Sequence, residues 1–248
     1  MDLGELSSIG GFFALRTFDA STSGAHGVPT SAPEGPGTPL ARLYAGDDHL
    51  LAGRVDTVER ALRTPERRIA VSIAQLGLAA RLWSIAVGSA ALFGELPVLD
   101  PDQLYWAPDR GTPDDLWLHT PSAPATVRTV PGTPALIQAT VRVAHLEPLA
   151  DAICRDTSVA RGLLWGNAGS ALAGAGRQLD TWARNAGRID VAERAAVLVR
   201  ELLREPPLVG TVRGPALRRA TCCLYYRVPG GGLCGDCVFD HPPARAVR

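Results

Sequence analysis

Toward its end the chain reads Thr221-Cys222-Cys223-Leu224-Tyr225-Tyr226-Arg227-Val228-Pro229-Gly230-Gly231-Gly232-Leu233-Cys234-Gly235-Asp236-Cys237. Four of its 5 cysteines lie in this stretch, as an adjacent pair, ten residues, and a CxxC pair. Thiols so close together point to a metal site or to two disulfides, and either would dictate the local fold. Pro229 fixes one turn and Gly230, Gly231 and Gly232 permit positive φ, so the chain can fold back and bring the two pairs together. Gly235 inside the CxxC lets Cys234 and Cys237 aim at one point. The stretch reads as a metal site.

Spacing alone leaves two metals open. Zinc quartets usually present two CxxC-type pairs around one ion. Here one half is the adjacent pair Cys222 and Cys223, whose Cβ vectors diverge along an extended backbone, a poor fit to a single small ion. A two-iron cluster offers separate metal corners, and four thiolates complete a 2Fe–2S centre. The pattern leans toward iron–sulfur and keeps zinc as the alternative.

The run CCLYYRVPGGGLCGDC resembles the C-terminal signature of the FhuF-like ferric siderophore reductases, which places two adjacent cysteines ten residues before a CxxC. The resemblance implies that Cys222, Cys223, Cys234 and Cys237 hold a 2Fe–2S cluster. Upstream, Leu164-Trp165-Gly166-Asn167 and the small-residue stretch 168–176 look like the family's WGN segment. Membership would imply a cytoplasmic oxidoreductase of iron uptake and iron homeostasis. Such a protein passes one electron to ferric siderophore iron, of hydroxamate type, so that Fe(II) is released. An external electron donor such as a ferredoxin would recharge the cluster, because the chain has no GxGxxG of its own for a flavin or nicotinamide. No catalytic side chain beyond the cluster is implied, and no substrate-binding residue can be named. Two rivals stay open: a non-catalytic iron–sulfur carrier or sensor, and a zinc-stapled siderophore-binding module.

Charge near the cysteines can be read without the family. Between positions 212 and 233 the chain carries Arg213, Arg218, Arg219 and Arg227 and no acid. A thiolate-ligated cluster is anionic and becomes more so on taking an electron, so these arginines are candidates for electrostatic tuning of its potential. The patch could also steer an acidic donor or an anionic chelate. An ordinary solvated basic surface is the plain alternative. The chain contains no lysine, so Arg carries all of its basic charge.

Composition bounds the rest. With 248 residues and 46% hydrophobic content there is material for a large core. The formal net charge is zero, which gives no basic footprint for nucleic acid. Residues 69–99 are strongly apolar, but Gln75, Arg81 and Glu95 interrupt them, so a buried core helix is expected rather than a transmembrane segment. The opening Met1-Asp2-Leu3-Gly4-Glu5-Leu6 has early acids and no basic region, so a cytoplasmic protein is expected, or one peripheral to the inner face of the membrane. In a reducing cytosol disulfides are rare, which disfavours that reading of the quartet and leaves Cys154 a free, buried thiol.

Along the chain the pattern predicts a strand over 11–19, a loop over 20–39, a helix within 47–62, and a long apolar helix over 65–93, broken near Ser84 or Gly88. Strands follow at 103–106 and 116–119, joined by a Pro-Asp-Arg-Gly-Thr-Pro turn. Helices are expected over 134–143, 147–155, 158–176 and 191–204, with Pro206-Pro207 closing the last. The fold class is α+β: a helix-dominated domain (1–209) with a small antiparallel sheet in its first half, and a C-terminal cysteine-rich cluster-binding segment (210–248) docked on it. Asn167 among Gly and Ala is read as tight helix packing. His26, His49, His119, His145 and His241 show no ligand spacing and receive no ligand role.

Overall fold

The computed structural model describes residues 1–19, 36–120, 125–128 and 133–243. Its axis is α4 (Arg67–Phe93), a largely apolar helix buried along most of its surface, with Ile73, Leu76, Gly77 and Ala80 on one partly exposed face. Around it pack α3 (Asp48–Leu62), α7 (Arg161–Asn185) and α8 (Ile189–Leu202). By length and composition α4 could cross a membrane, yet 78% of its most apolar window is buried inside the fold. It is the core helix.

The expected break in α4 does not occur. Gly88 is there because a Cβ would sit 2.7 Å from a Phe13 ring carbon and 2.9 Å from a Leu6 methyl. The glycine admits side chains from α1 (Leu3–Ser8) and the short 3₁₀ turn Gly11–Phe13, and the helix runs on unbroken. Arg81, one of the polar interruptions of the apolar stretch, is fully buried. Its Nε bonds Asp115 at 3.0 Å, and its Nη1 bonds the carbonyls of Gly11 and Phe12 at 2.7 Å each. Residues 11–13 form the 3₁₀ turn that Arg81 holds by its carbonyls, so the strand predicted over 11–19 shrinks to β1 (Arg16–Phe18).

One sheet has the order β1-β5-β4-β2, with β2 (Thr38–Pro39), β4 (Leu104–Trp106) and β5 (Leu116–His119). Pairs β2/β4 and β4/β5 are antiparallel, and β1 joins β5 in parallel at one edge, Thr17 opposite Leu118. A second ribbon pairs β3 (Glu95–Pro97) with β6 (Thr126–Arg128). Of the loop predicted over 20–39, positions 20–35 lie outside the described residues, while Thr38 and Pro39 form β2 and lead into α2 (Leu40–Tyr44).

The second half is helical, as the periodicity predicts. Short α5 (Thr133–Ile137) continues as a π-helix over Gln138–Leu146 and then α6 (Glu147–Asp156). Helix α7 runs nine residues past its predicted end at 176, because Leu172, Ala175, Leu179 and Ala183 continue one buried face. Cys154 on α6 is half-buried rather than buried, with its thiol directed to the Val159 carbonyl at 3.7 Å. After α8 come a small hairpin of β7 (Val212–Arg213) and β8 (Arg218–Arg219) and the loop that carries the four cysteines.

Candidate metal centre

The cysteine loop is seated on one face of α7. Gly166 lies under Thr221, where a Cβ would stand 1.8 Å from the Thr221 hydroxyl oxygen. Gly169 lies under Thr211 in the same way, at 2.0 Å. Positions 166, 169 and 170 share a helix face, and on it the Ser170 hydroxyl bonds the Asp236 carboxylate. The small residues of α7 therefore admit the C-terminal segment, and the expectation that they serve helix–helix contact is corrected for these two glycines. Gly176 does serve it, lying against Val199 of α8.

Within the loop, β8 holds both ends. The Arg219 amide donates to the Asp236 carbonyl at 3.0 Å, and Ala220 to that of Thr211 at 2.8 Å. Arg218 clamps the Cys237 carbonyl through Nε and Nη2, at 3.0 and 2.7 Å. Tyr226 and Phe239 stack edge to face at 5.6 Å. The Cys237 amide donates to the Cys234 carbonyl at 3.1 Å, closing the CxxC turn. Leu224 takes φ +71°, the left-handed region, directly after the adjacent pair.

The sulfurs converge from both pairs. Cys223 Sγ and Cys234 Sγ are 3.5 Å apart, and Cys222 feels the charges of Cys223 and Cys237. Among the described residues no three His, Cys, Asp or Glu side chains are placed to hold one metal ion. The quartet thus gathers in one loop without closing on a single centre. Three sulfurs receive a backbone N–H from the residue two positions on. Leu224 donates to Cys222 at 3.2 Å, Phe239 to Cys237 at 3.4 Å, and Tyr225 to Cys223. Hydrogen bonds of this kind favour the thiolate and tune an iron–sulfur centre.

The electrostatics divide the thiols. The hydrogen bond from Cys234 holds Cys223 down at about 6, helped by Arg219 and the Tyr225 amide. The same bond, with burial, pushes Cys234 up. Burial also raises Cys222, against the Leu224 amide. Of the contacting pair Cys223 and Cys234, Cys223 is the readier thiolate.

The four arginines singled out from the sequence do not act alike. Arg219 is buried beside the cysteine pair, bonded to Thr221, and its charge acts on Cys222, Cys223 and Cys234. Its Nε donates to the Thr221 carbonyl at 3.1 Å, its Nη2 to Asn167 Oδ1, and its Nη1 is buried with no partner. Arg218 touches the loop backbone but pairs its charge with Asp240 at 2.6 Å. Arg227 points away, to Glu66 at 2.8 Å, and Arg213 is exposed on β7.

Two residues of the site were not readable as such. Asn167, read as packing, donates through Nδ2 to the Ser72 carbonyl and hydroxyl at 2.9 and 3.1 Å. Ser72 on α4 in turn donates to the Cys223 carbonyl at 2.9 Å. The only available signal was Asn167 itself, a residue of low helix propensity inside an Ala/Gly stretch. Ser72 gave none. Beside the loop lies a cavity of about 370 Å³ bordered by Ala80, Ser84, Ser170, Arg177, Gln178 and Asp236.

These residues fit an anionic, thiolate-ligated cluster: paired sulfurs, N–H donors aimed at them, and a buried cation with an unused donor. Residues 219–239, which contain the whole quartet, match the family model described as the FhuF 2Fe-2S C-terminal domain. The resemblance is thereby shown for the C-terminal segment, and the cofactor it supports is a 2Fe–2S cluster. A search of curated proteins finds no match to the chain.

Proposed function

We propose that Cys222, Cys223, Cys234 and Cys237 ligate the 2Fe–2S cluster and that the protein passes single electrons to the iron of a ferric siderophore. The observation that carries this reading is the quartet itself, gathered in one loop with N–H groups on three sulfurs and Arg219 beside them. When bound, the cluster supplies a one-electron redox centre. The chain's own part is to hold the sulfurs, dampen their charge and keep one side of the loop within reach of a chelate. The cavity bordered by Asp236 of the CxxC turn and by Arg177 and Gln178 is the proposed approach. An external one-electron donor, of ferredoxin type, gives up one electron; the Fe³⁺ of the chelate takes it and becomes Fe²⁺. Hard oxygen donors hold Fe²⁺ less tightly, so the metal leaves. In this reading residues 210–248 are the cluster-binding segment, 1–209 carry it, and the protein works in the cytoplasm.

The test begins with anaerobic purification and assay of iron and acid-labile sulfide. Dithionite-reduced protein is then mixed with ferric hydroxamate chelates while the cluster's visible absorption is followed. Reoxidation together with capture of Fe²⁺ by a ferrous chelator is expected. A cluster that stays reduced with ferric chelates, yet exchanges electrons with a ferredoxin, would make the protein a carrier instead. Serine at any one of the four cysteines is expected to cost iron and sulfide, and Cys154→Ser to cost neither.

A further inference from the structure

Arg219 is a buried cation whose hydrogen-bond partners are all neutral. Its side chain bonds the Thr221 carbonyl and the Asn167 amide oxygen, and Nη1 has no partner. Among the described residues it makes no ion pair with a carboxylate; Asp236, whose carbonyl accepts from the Arg219 amide, has its carboxylate bonded by Ser170. A buried charge without a counter-ion is costly. The groups its charge acts on are the sulfurs of Cys222, Cys223 and Cys234.

Asn167 fixes where that charge stands. Its amide orientation is set from both sides, since Nδ2 donates to two oxygens of Ser72 and only Oδ1 can face a guanidinium. Ser72 then bonds the Cys223 carbonyl, so the path from Arg219 through Asn167 and Ser72 returns to the backbone of a cysteine. The circuit links α4, α7 and the loop. The choice of an amide also has a chemical meaning. A carboxylate at 167 would bond the guanidinium more strongly but would cancel its charge. An amide holds the cation and leaves its field directed at the sulfurs.

We propose that Asn167 is a positioning residue for Arg219: it keeps the guanidinium as an uncancelled counter-charge to the cysteine quartet, so that the WGN segment of α7 sets the reduction potential of the cluster. The inference rests on the 2Fe–2S reading above and extends it to a residue outside the matched segment.

The experiment is a redox titration of the cluster-loaded full chain, followed by electron paramagnetic resonance, for wild type, Asn167→Asp, Asn167→Ala, Arg219→Gln and Arg219→Lys. Arg219→Gln and Asn167→Asp are expected to disfavour the reduced form at least tenfold, which is about 59 mV for one electron. Asn167→Ala, which removes the tether but not the charge, should shift less than Asn167→Asp. Arg219→Lys should stay closer to wild type than Arg219→Gln. Equal potentials for Asn167→Asp and Asn167→Ala, with full iron content, would overturn the proposal by showing that only packing matters. If the Asn167 variants do not retain iron, the two Arg219 variants decide: equal potentials there overturn it as well. Wild-type protein without iron and sulfide would instead sink the cluster reading itself.

Discussion

The hydroxyl of Ser72 donates to the carbonyl oxygen of Cys223 at 2.9 Å, both groups buried and 151 residues apart in sequence. Through this contact the central helix α4 grips the cysteine loop at the one sulfur-bearing residue that is also the readiest thiolate. The loop is too small to build a core. Its order is borrowed from α4 and α7, so perturbing those helices should be felt at the metal centre.

Gly166 offers the sharpest test of that dependence. A methyl group there would stand 1.8 Å from the Thr221 hydroxyl and 3.1 Å from its Cβ, so the loop must move or the helix must bend. Gly166→Ala is expected to destabilise the native chain by about 3 kcal/mol, at the upper end for overpacking, and to lower iron content. Adding Thr221→Gly removes both clashing atoms and should recover much of the loss. Thermal unfolding and iron assay of the single and double variants check this. An unaltered single variant would mean the loop is not seated on α7.

The buried pair Arg81–Asp115 should be a large contributor to the fold of the first half. Removing the guanidinium strands buried Asp115, left with Arg54 at 4.0 Å and the Thr112 hydroxyl at 3.5 Å, and frees two part-buried carbonyls of the N-terminal turn. Arg81→Met is therefore expected to cost about 3–5 kcal/mol. The Arg16–Asp114 pair at 3.0 Å is half exposed, and Arg16→Met should cost under about 1 kcal/mol. Urea unfolding of the two variants gives the comparison. Similar losses in both would refute the distinction.

Stability should fall in mild acid for a reason separate from the metal centre. His145 is buried, with Nε2–H donating to the Leu99 carbonyl at 2.8 Å and Nδ1 accepting from the Tyr44 hydroxyl at 2.9 Å. Burial holds it down at about 4 from its ordinary 6.5, against weaker support for the cation from the Leu99 carbonyl and Asp100. The folded form thus binds a proton less readily than the unfolded chain. Its contribution is fully present above about pH 6.5 and is lost as pH falls toward 4, about 3 kcal/mol in all. His145→Gln should flatten that part of the stability profile of the metal-free chain, measured by denaturant midpoints from pH 7 to 4.5. A profile unchanged by the substitution would remove His145 as the cause.

The sequence made the helical architecture and the cysteine quartet legible because both are written in local spacing. Helices α3, α6 and α8 repeat on a 3.6-residue period, and the cysteines occupy one short window. What it hid depends on contacts between distant segments. Gly88 looked like a helix breaker because nothing local says that Phe13 and Leu6 press on it. Strands β3, β6, β7 and β8, of two or three residues each, are too short to show alternation. Asn167 and Ser72 carry no motif that distinguishes a buried hydrogen-bond circuit from packing. The arginine patch was visible as charge, but its division into a buried member and paired or exposed ones is a property of the folded loop.

That division yields a ranked redox series. Arg219 is buried with no carboxylate partner, so its field on the sulfurs is little screened. Arg218 touches the Cys237 carbonyl, but Asp240 offsets its charge and both are open to solvent. Arg227 is paired with Glu66, and Arg213 is exposed, where salt screens within about 10 Å at 0.1 M. Substitution by Gln should therefore lower the cluster potential most at Arg219, less at Arg218, and little at Arg213 or Arg227. Raising the salt concentration should shrink the Arg218 effect and leave the Arg219 effect nearly intact. Asp240→Asn should move the potential upward by unmasking Arg218, a sign opposite to every arginine variant. Redox titrations of the five variants at low and high salt test the order. If Arg227→Gln matched Arg219→Gln, burial and pairing would not be what selects the tuning residue.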